Sequence, residues 1–134
     1  MKNFPYGVII RPHITEKTVA LSYGDEQSAQ KRLKNEAKKA GESKKDVQVT
    51  EEDLVRKYTF IVANEANKLE IKAAVEAIYN EGKKKEQAIT VTSVRTIKVL
   101  GKSRRRGRSV GYEPDRKKAI VTLGKGQMLE DYGV

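Results

Sequence analysis

Apolar and polar positions change rhythm along the chain, and each change marks an element. Tyr58, Phe60 and Val62 alternate with Thr59 and Ile61 in an aromatic, β-branched run, which predicts a strand over Tyr58–Ala63. Leu69, Ile71, Ala74, Val75 and Ile78 then recur at helical spacing. Asn67 and Glu70 stand ahead of them at capping-box separation, and Gly82 follows as a C′ glycine. Ile89–Val99 reads as a second, longer strand whose alternation slips phase between Val91 and Val94, predicting a bulge or a late start. Lys117–Leu123 is a third strand; Gly124 and Gly126 turn the chain into a short tail, Gln127–Val134. Upstream, Pro5 and Pro12 push the residues before them out of helix, so Phe4–His13 is strand or linker. Thr15 caps a short helix, Glu16–Ser22, with the Glu16 carboxylate in its first turn and Gly24 at its end. Ile14, Val19 and Tyr23 are its expected core contacts.

Two stretches break this rhythm. Asp25–Lys57 carries nine Lys and Arg against eight Asp and Glu, a net +1, with few sizeable apolar residues. Gln27–Ala40 has good helix formers but no continuous apolar stripe. The segment is expected to be a solvated, mobile or partner-ordered insertion at about 24–57, not a second domain. The other stretch lies between two apolar runs, Ile97–Leu100 and Ala119–Leu123. From Lys98 to Lys118 it holds nine Lys and Arg against Glu113 and Asp115 alone, a net +7. Gly101, Gly107 and Gly111 let this connection bend, and Pro114 keeps its middle from continuing an ordinary ladder.

The order helix, strand, helix, strand, basic loop, strand predicts one α+β domain over 1–134. It is a small sandwich: a three- to four-stranded, largely antiparallel sheet with helices on one face and a long basic hairpin loop at about 100–117. The strand–helix–strand unit is expected to pair parallel through a right-handed crossover, and the strands flanking the basic loop to pair antiparallel.

Charge changes what this small domain is for. The chain has 28 Lys and Arg against 18 Asp and Glu, a net +10, so most of the excess sits in one loop. Such a loop is built to lie on a polyanion, either nucleic acid or an anionic membrane surface. With 134 residues, 37% hydrophobic and 34% charged, the core is modest. The absence of cysteine excludes disulfides, zinc-thiolate sites and thiol catalysis, and fits a reducing cytosol. No apolar run approaches the roughly 18 residues of a membrane span. The opening M-K-N-F-P-Y-G-V-I-I is too short and too soon interrupted to act as a signal peptide.

Four motifs occur in one order: R-P-H-I-T-E-K at Arg11–Lys17; L-E-I-K-A-A-V-E-A-I-Y at Leu69–Tyr79; T-S-V-R-T with G-K-S-R-R-R-G-R; and R-K-K-A-I-V-T-L at Arg116–Leu123. Together they resemble the bacterial form of the large-subunit ribosomal protein twenty-three family, over residues 8–23 and 58–130. The Asp25–Lys57 segment departs from the family's usual short turn. The resemblance implies a cytoplasmic, ribosome-bound structural protein that binds large-subunit rRNA beside the exit of the nascent-peptide tunnel. It also implies contacts with neighbouring ribosomal proteins, and no membrane insertion, cofactor or metal. On this resemblance the rRNA contacts are Arg11, His13, Lys17, Lys98, Lys102, Ser103, Arg104, Arg105, Arg106, Arg108, Arg116, Lys117 and Lys118. Glu16 matches the position where family members dock trigger factor and signal recognition particle, and its neighbours Ile14 and Thr15 are expected to contribute to that contact.

Each feature has a plainer reading. A basic run is usually a solvated face, but +7 with three glycines between paired strands exceeds what solubility requires. His13, the lone histidine, is a structural residue or a phosphate contact before it is a proton carrier. Tyr58 and Phe60 could stack bases, yet their alternation with Val62 favours burial. From its own residues Glu16 is simply a favourable first-turn carboxylate. A free-standing single-strand RNA-binding module is the alternative function, although two Phe and no Trp are few aromatics for one. An enzyme lacks raw materials: no Cys, one His, and a G-K-S at Gly101–Ser103 without the upstream glycine or following helix of a Walker-type loop. Free in solution the basic loop is expected to be disordered and to order on binding.

Overall fold

The computed structural model describes residues 5–39, 41, 50, 53–81 and 88–129. A four-stranded antiparallel sheet is formed by β1 (Ile9–Pro12), β2 (Lys57–Val62), β3 (Val91–Val99) and the last strand, β6 (Arg116–Leu123), in the order β1-β2-β6-β3. Between β3 and β6, β4 (Ser103–Arg106) and β5 (Ser109–Tyr112) form a separate two-stranded hairpin. The helices are α1 (Pro5–Val8), α2 (Glu16–Ser22), α3 (Glu26–Lys39) and α4 (Lys68–Tyr79). This is the expected α+β architecture.

One pairing differs from expectation. β2 and β3 flank α4 and run parallel to each other, but they do not pair; β6 inserts between them, antiparallel to both. The basic segment returns its strand to the centre of the sheet, where Ala119, Val121 and Leu123 are fully buried. β6 and β2 are thus the two strands paired on both edges. The predicted irregularity in β3 is present as a register shift between Val91 and Ser93, which keeps both Val91 and Val94 on the core side.

The core lies between the sheet and α4. Tyr58, Phe60 and Val62 meet Ile71, Ala74 and Val75, closed by Val8, Ile89 and Leu129. Tyr58 and Phe60 are therefore core residues, and the Phe60 ring lies 6.0 Å from that of Tyr79. Asn67 caps α4 as its spacing predicts: its Oδ1 accepts from the Glu70 N–H at 2.8 Å, and its amide donates to the Glu70 carboxylate at 3.3 Å. At the other end Asn80 caps the helix and clamps β3's approach, donating to the Ile89 carbonyl at 3.0 Å and accepting its N–H at 2.6 Å. Gly82 lies outside the described residues.

Strand alternation sends Thr59 and Ile61 to the opposite face, where both are buried and where α2 covers β2. That contact uses Thr18 and Ser22, not the apolar residues expected: Ile14 and Tyr23 are exposed and Val19 is half-buried. Small hydroxyl side chains fit the close approach because each satisfies itself locally, Thr18 on the Thr15 carbonyl and Ser22 on the Val19 carbonyl.

α3 occupies the first half of the expected insertion. Ala29 is buried, the Arg32 guanidinium donates to the Asp53 carbonyl at 3.3 Å, and Glu36 pairs with Lys125 at 3.8 Å. Residues 29, 32 and 36 share one helical face, so α3 is docked on the domain. Its contact is made by one alanine and two charged side chains, which is why no apolar stripe announces it. Residues 42–49 of the segment lie outside the described residues.

Candidate nucleic-acid interface

The basic segment is built from its neck outward. The Asp115 carboxylate accepts from the Gly101 N–H at 2.7 Å, and the Asn64 amide donates to the Asp115 carbonyl at 3.1 Å. Glu113 pairs with Arg104 at 2.9 Å, and the guanidinium holds its carboxyl below the usual carboxylate range. The Glu113 N–H donates to the Lys102 carbonyl at 2.9 Å. Both acids of the segment are therefore engaged at the base. Pro114 sits between them, at the break separating the hairpin from the main sheet.

Beyond the neck the chain pairs Ser103 with Tyr112, Arg104 with Gly111, Arg105 with Val110 and Arg106 with Ser109. Gly107 opens the two-residue turn at φ +62°, a conformation that suits glycine at the first turn position. The segment expected to be disordered when free is thus a closed hairpin. Turn chemistry and cross-strand register supply the order that its lack of buried apolar residues does not. Every residue from Lys102 to Tyr112 is exposed. Lys102, Arg105, Arg106 and Arg108 form no ion pair among the described residues, so the tip is a cationic projection with its counter-charges held behind it.

A second basic surface lies on the sheet face turned away from α4. Arg11, Ile61, Lys118 and Ile97 line up across β1, β2, β6 and β3, and Thr59, Ile120 and Arg95 form the adjacent row; α2 covers β2 on this face, so Ile61 and Thr59 are buried and the cations lie on the strands to either side. Arg116, paired with Val99, continues the face toward the hairpin. The strand positions on this face include no Asp or Glu. His13 stands at its edge, its N–H donating to the Thr59 carbonyl at 2.9 Å. Burial, then the neighbouring Lys118, Arg11 and Arg116 charges, hold its imidazole below the ordinary value.

The expected contact residues therefore divide into groups. Lys102, Ser103, Arg104, Arg105, Arg106 and Arg108 are on the hairpin; Arg11, His13, Arg116 and Lys118 are on the sheet face turned away from α4, beside the part that α2 covers. Lys117 points to the other face and donates to the Ala66 carbonyl at 2.6 Å, bracing the loop before α4. Its cross-strand neighbour Lys98 shares that face, and Lys17 stands on α2. Ile14, Thr15 and Glu16 are exposed together at the start of α2. There the Thr15 hydroxyl accepts from the Thr18 N–H and the Thr15 N–H donates to the Thr18 hydroxyl. Two exposed residues escaped the sequence reading: Arg95, hidden within an apparent strand core, and Tyr112, lost among the loop's charges. Counting alternation onward from the buried Val94, and forward through the hairpin turn, would have placed both on solvent-facing positions. Among the described residues no helix is long and apolar enough to cross a membrane.

Comparison with known proteins gives this geometry a context. Residues 35–130 match the family model described as ribosomal protein L23. The large ribosomal subunit protein uL23 of Desulfitobacterium hafniense (strain Y51) is 47% identical over 90 residues, covering 67% of this chain and 83% of the relative. The protein of the same name from Pelobacter propionicus is 34% identical over 129 residues, covering 96% of this chain and 97% of the relative. That of Trichlorobacter lovleyi is 33% identical over the same span. The last two relatives match this chain nearly end to end.

Proposed function

The chain belongs to the ribosomal protein L23 family and is a structural, non-enzymatic constituent of the large ribosomal subunit; from that premise we propose that its basic hairpin anchors it in large-subunit rRNA near the polypeptide tunnel exit. The observation that carries this reading is the exposed Lys102–Tyr112 hairpin, whose cations project beyond a neck that engages both local acids. Lys and Arg that neutralise phosphates release condensed counterions, and guanidinium forks on a narrow ribbon can follow an irregular RNA surface. Arg11, His13, Arg116 and Lys118 supply a second contact on the sheet face, so the domain is gripped at its tip and at its base. The two together fix orientation, which one flexible contact would not.

The same reading places Ile14, Thr15 and Glu16 outward, as a docking site for trigger factor and signal recognition particle. Their exposure at the start of a helix whose opposite side is packed on β2 supports this role. The whole chain, 1–134, then works as one ribosome-bound domain in the cytoplasm, its Asp25–Lys57 segment included.

Sedimentation of cell lysate, with detection of this chain in low and high salt, tests the anchoring. Retention on the large subunit in high salt is the expected result. Release of the chain to the top of the gradient in both conditions would overturn the reading, and the assignment of Glu16 with it.

A further inference from the structure

The hairpin has two chemically different faces. Paired strand positions share a side, so Arg104, Arg106, Ser109 and Gly111 lie on one face and Ser103, Arg105, Val110 and Tyr112 on the other. The first face is cationic and bare at Gly111. That glycine has no positive φ, and a Cβ there would meet nothing, so neither backbone conformation nor packing within the chain calls for it. The second face carries Val110 and Tyr112, respectively 62% and 79% exposed, with no apolar neighbour to bury them. By contrast Tyr58 and Phe60 are fully buried and Tyr79 is packed against the core.

We propose that the Tyr112 face is a stacking platform for an unpaired RNA base, while the Gly111 face admits the sugar–phosphate backbone. Tyr112 offers an open π-face, Val110 an apolar floor beside it, and Arg105 a guanidinium on the diagonal position of the same side. The Arg105 Nε is tied to the Gly107 carbonyl at 3.0 Å, which sets the side chain over the turn and leaves its outer nitrogens for a phosphate or a second base. Charge complementarity selects the occupant: an apolar patch set among Lys102, Arg105, Arg106 and Arg108, with no free carboxylate on the hairpin, suits a polyanion that also presents aromatic faces. Unpaired RNA is such a ligand; duplex RNA hides its bases in the stack. The inference rests on the rRNA-binding reading and specifies the kind of RNA structure that the hairpin takes.

The full chain is titrated with a short single-stranded oligoadenylate and with an RNA duplex of the same length, at fixed low salt. Tyr112→Ala and Tyr112→Leu are expected to weaken the single-stranded complex at least about fivefold and to leave the duplex complex unchanged. Tyr112→Phe is expected to bind both like the unsubstituted chain, which separates stacking from bulk and from the hydroxyl. Equal weakening of both complexes, or of neither, by Tyr112→Ala would overturn the platform while leaving RNA binding in place. Failure of the unsubstituted chain to bind either probe would instead remove the underlying reading. All three variants are at an exposed site, and circular dichroism checks that the domain is folded in each.

Discussion

A Cβ built on Gly101 would fall 1.6 Å from the Glu113 carbonyl oxygen. The two strands of the neck pass so closely there that only a hydrogen fits, and the Gly101 N–H meanwhile donates to Asp115. Gly101→Ala must therefore push the hairpin off the sheet. The expected cost is about 1–3 kcal/mol or more from the steric conflict. Thermal unfolding measures that loss, and amide exchange should show lost protection at Gly101 and Glu113, with β2 and β6 still protected. A variant as stable and as protected as the parent would refute the tight neck.

Lys117 tests how far the basic residues divide by role. It donates to the Ala66 carbonyl, so Lys117→Met is expected to reduce stability by about 1–3 kcal/mol through the unsatisfied carbonyl. Arg106→Ala, at an exposed tip position, is expected to leave stability within about 0.5 kcal/mol. The salt dependence of rRNA binding should move the other way. Arg106→Ala should lower the slope of log affinity against log salt by roughly 0.7–0.9, and Lys117→Met should barely change it.

His13 sets a pH dependence. Its imidazole titrates below 6.5 in the folded chain, chiefly through burial and then through Lys118, Arg11 and Arg116. Between the folded value and 6.5 the unfolded chain binds a proton that the folded chain does not. Stability contributed by the neutral imidazole is therefore complete above 6.5, falls as pH falls through that window, and levels off below the folded value. His13→Gln should flatten this dependence. Melting temperatures of both chains between about pH 7.5 and pH 5, where most carboxylates remain ionised, decide it. Identical profiles would mean that the imidazole is not held neutral.

Asn80 ties the end of α4 to the start of β3 with two short hydrogen bonds on Ile89. Asn80→Ala leaves both backbone groups to find other partners and should cost about 1–3 kcal/mol. Asn80→Asp keeps the acceptor for the Ile89 N–H but not the donor, and should lie between. Equilibrium denaturation ranks the three chains.

What could be read in the sequence follows from what makes the contact. The core strands and α4 were legible because Tyr58, Phe60, Val62, Ile71, Ala74 and Val75 repeat at the periods of strand and helix. The slip between Val91 and Val94 even located the irregularity in β3. The docking of α2 and α3 was not, since Thr18, Ser22, Ala29 and Arg32 make it, and a single small alanine among polar side chains forms no apolar stripe. The position of β6 between β2 and β3 was hidden for a different reason: pairing partners are set by the sheet, and the local pattern of Lys117–Leu123 is the same at an edge or a centre. At the candidate site the loop's charge was plain, but its division into faces needed the register Arg104–Gly111 and Arg105–Val110. Only that register separates Tyr112 from the arginines beside it.

The absence of cysteine permits the most direct test of where the hairpin lies. Arg108→Cys places a single thiol at the turn, to which an iron chelate that generates hydroxyl radicals can be tethered before the chain is assembled into large subunits. Cleavage of large-subunit rRNA confined to nucleotides lining the peptide tunnel near its exit is the predicted result. Cleavage scattered over the subunit surface, or none in fully assembled particles, would contradict an rRNA-embedded hairpin.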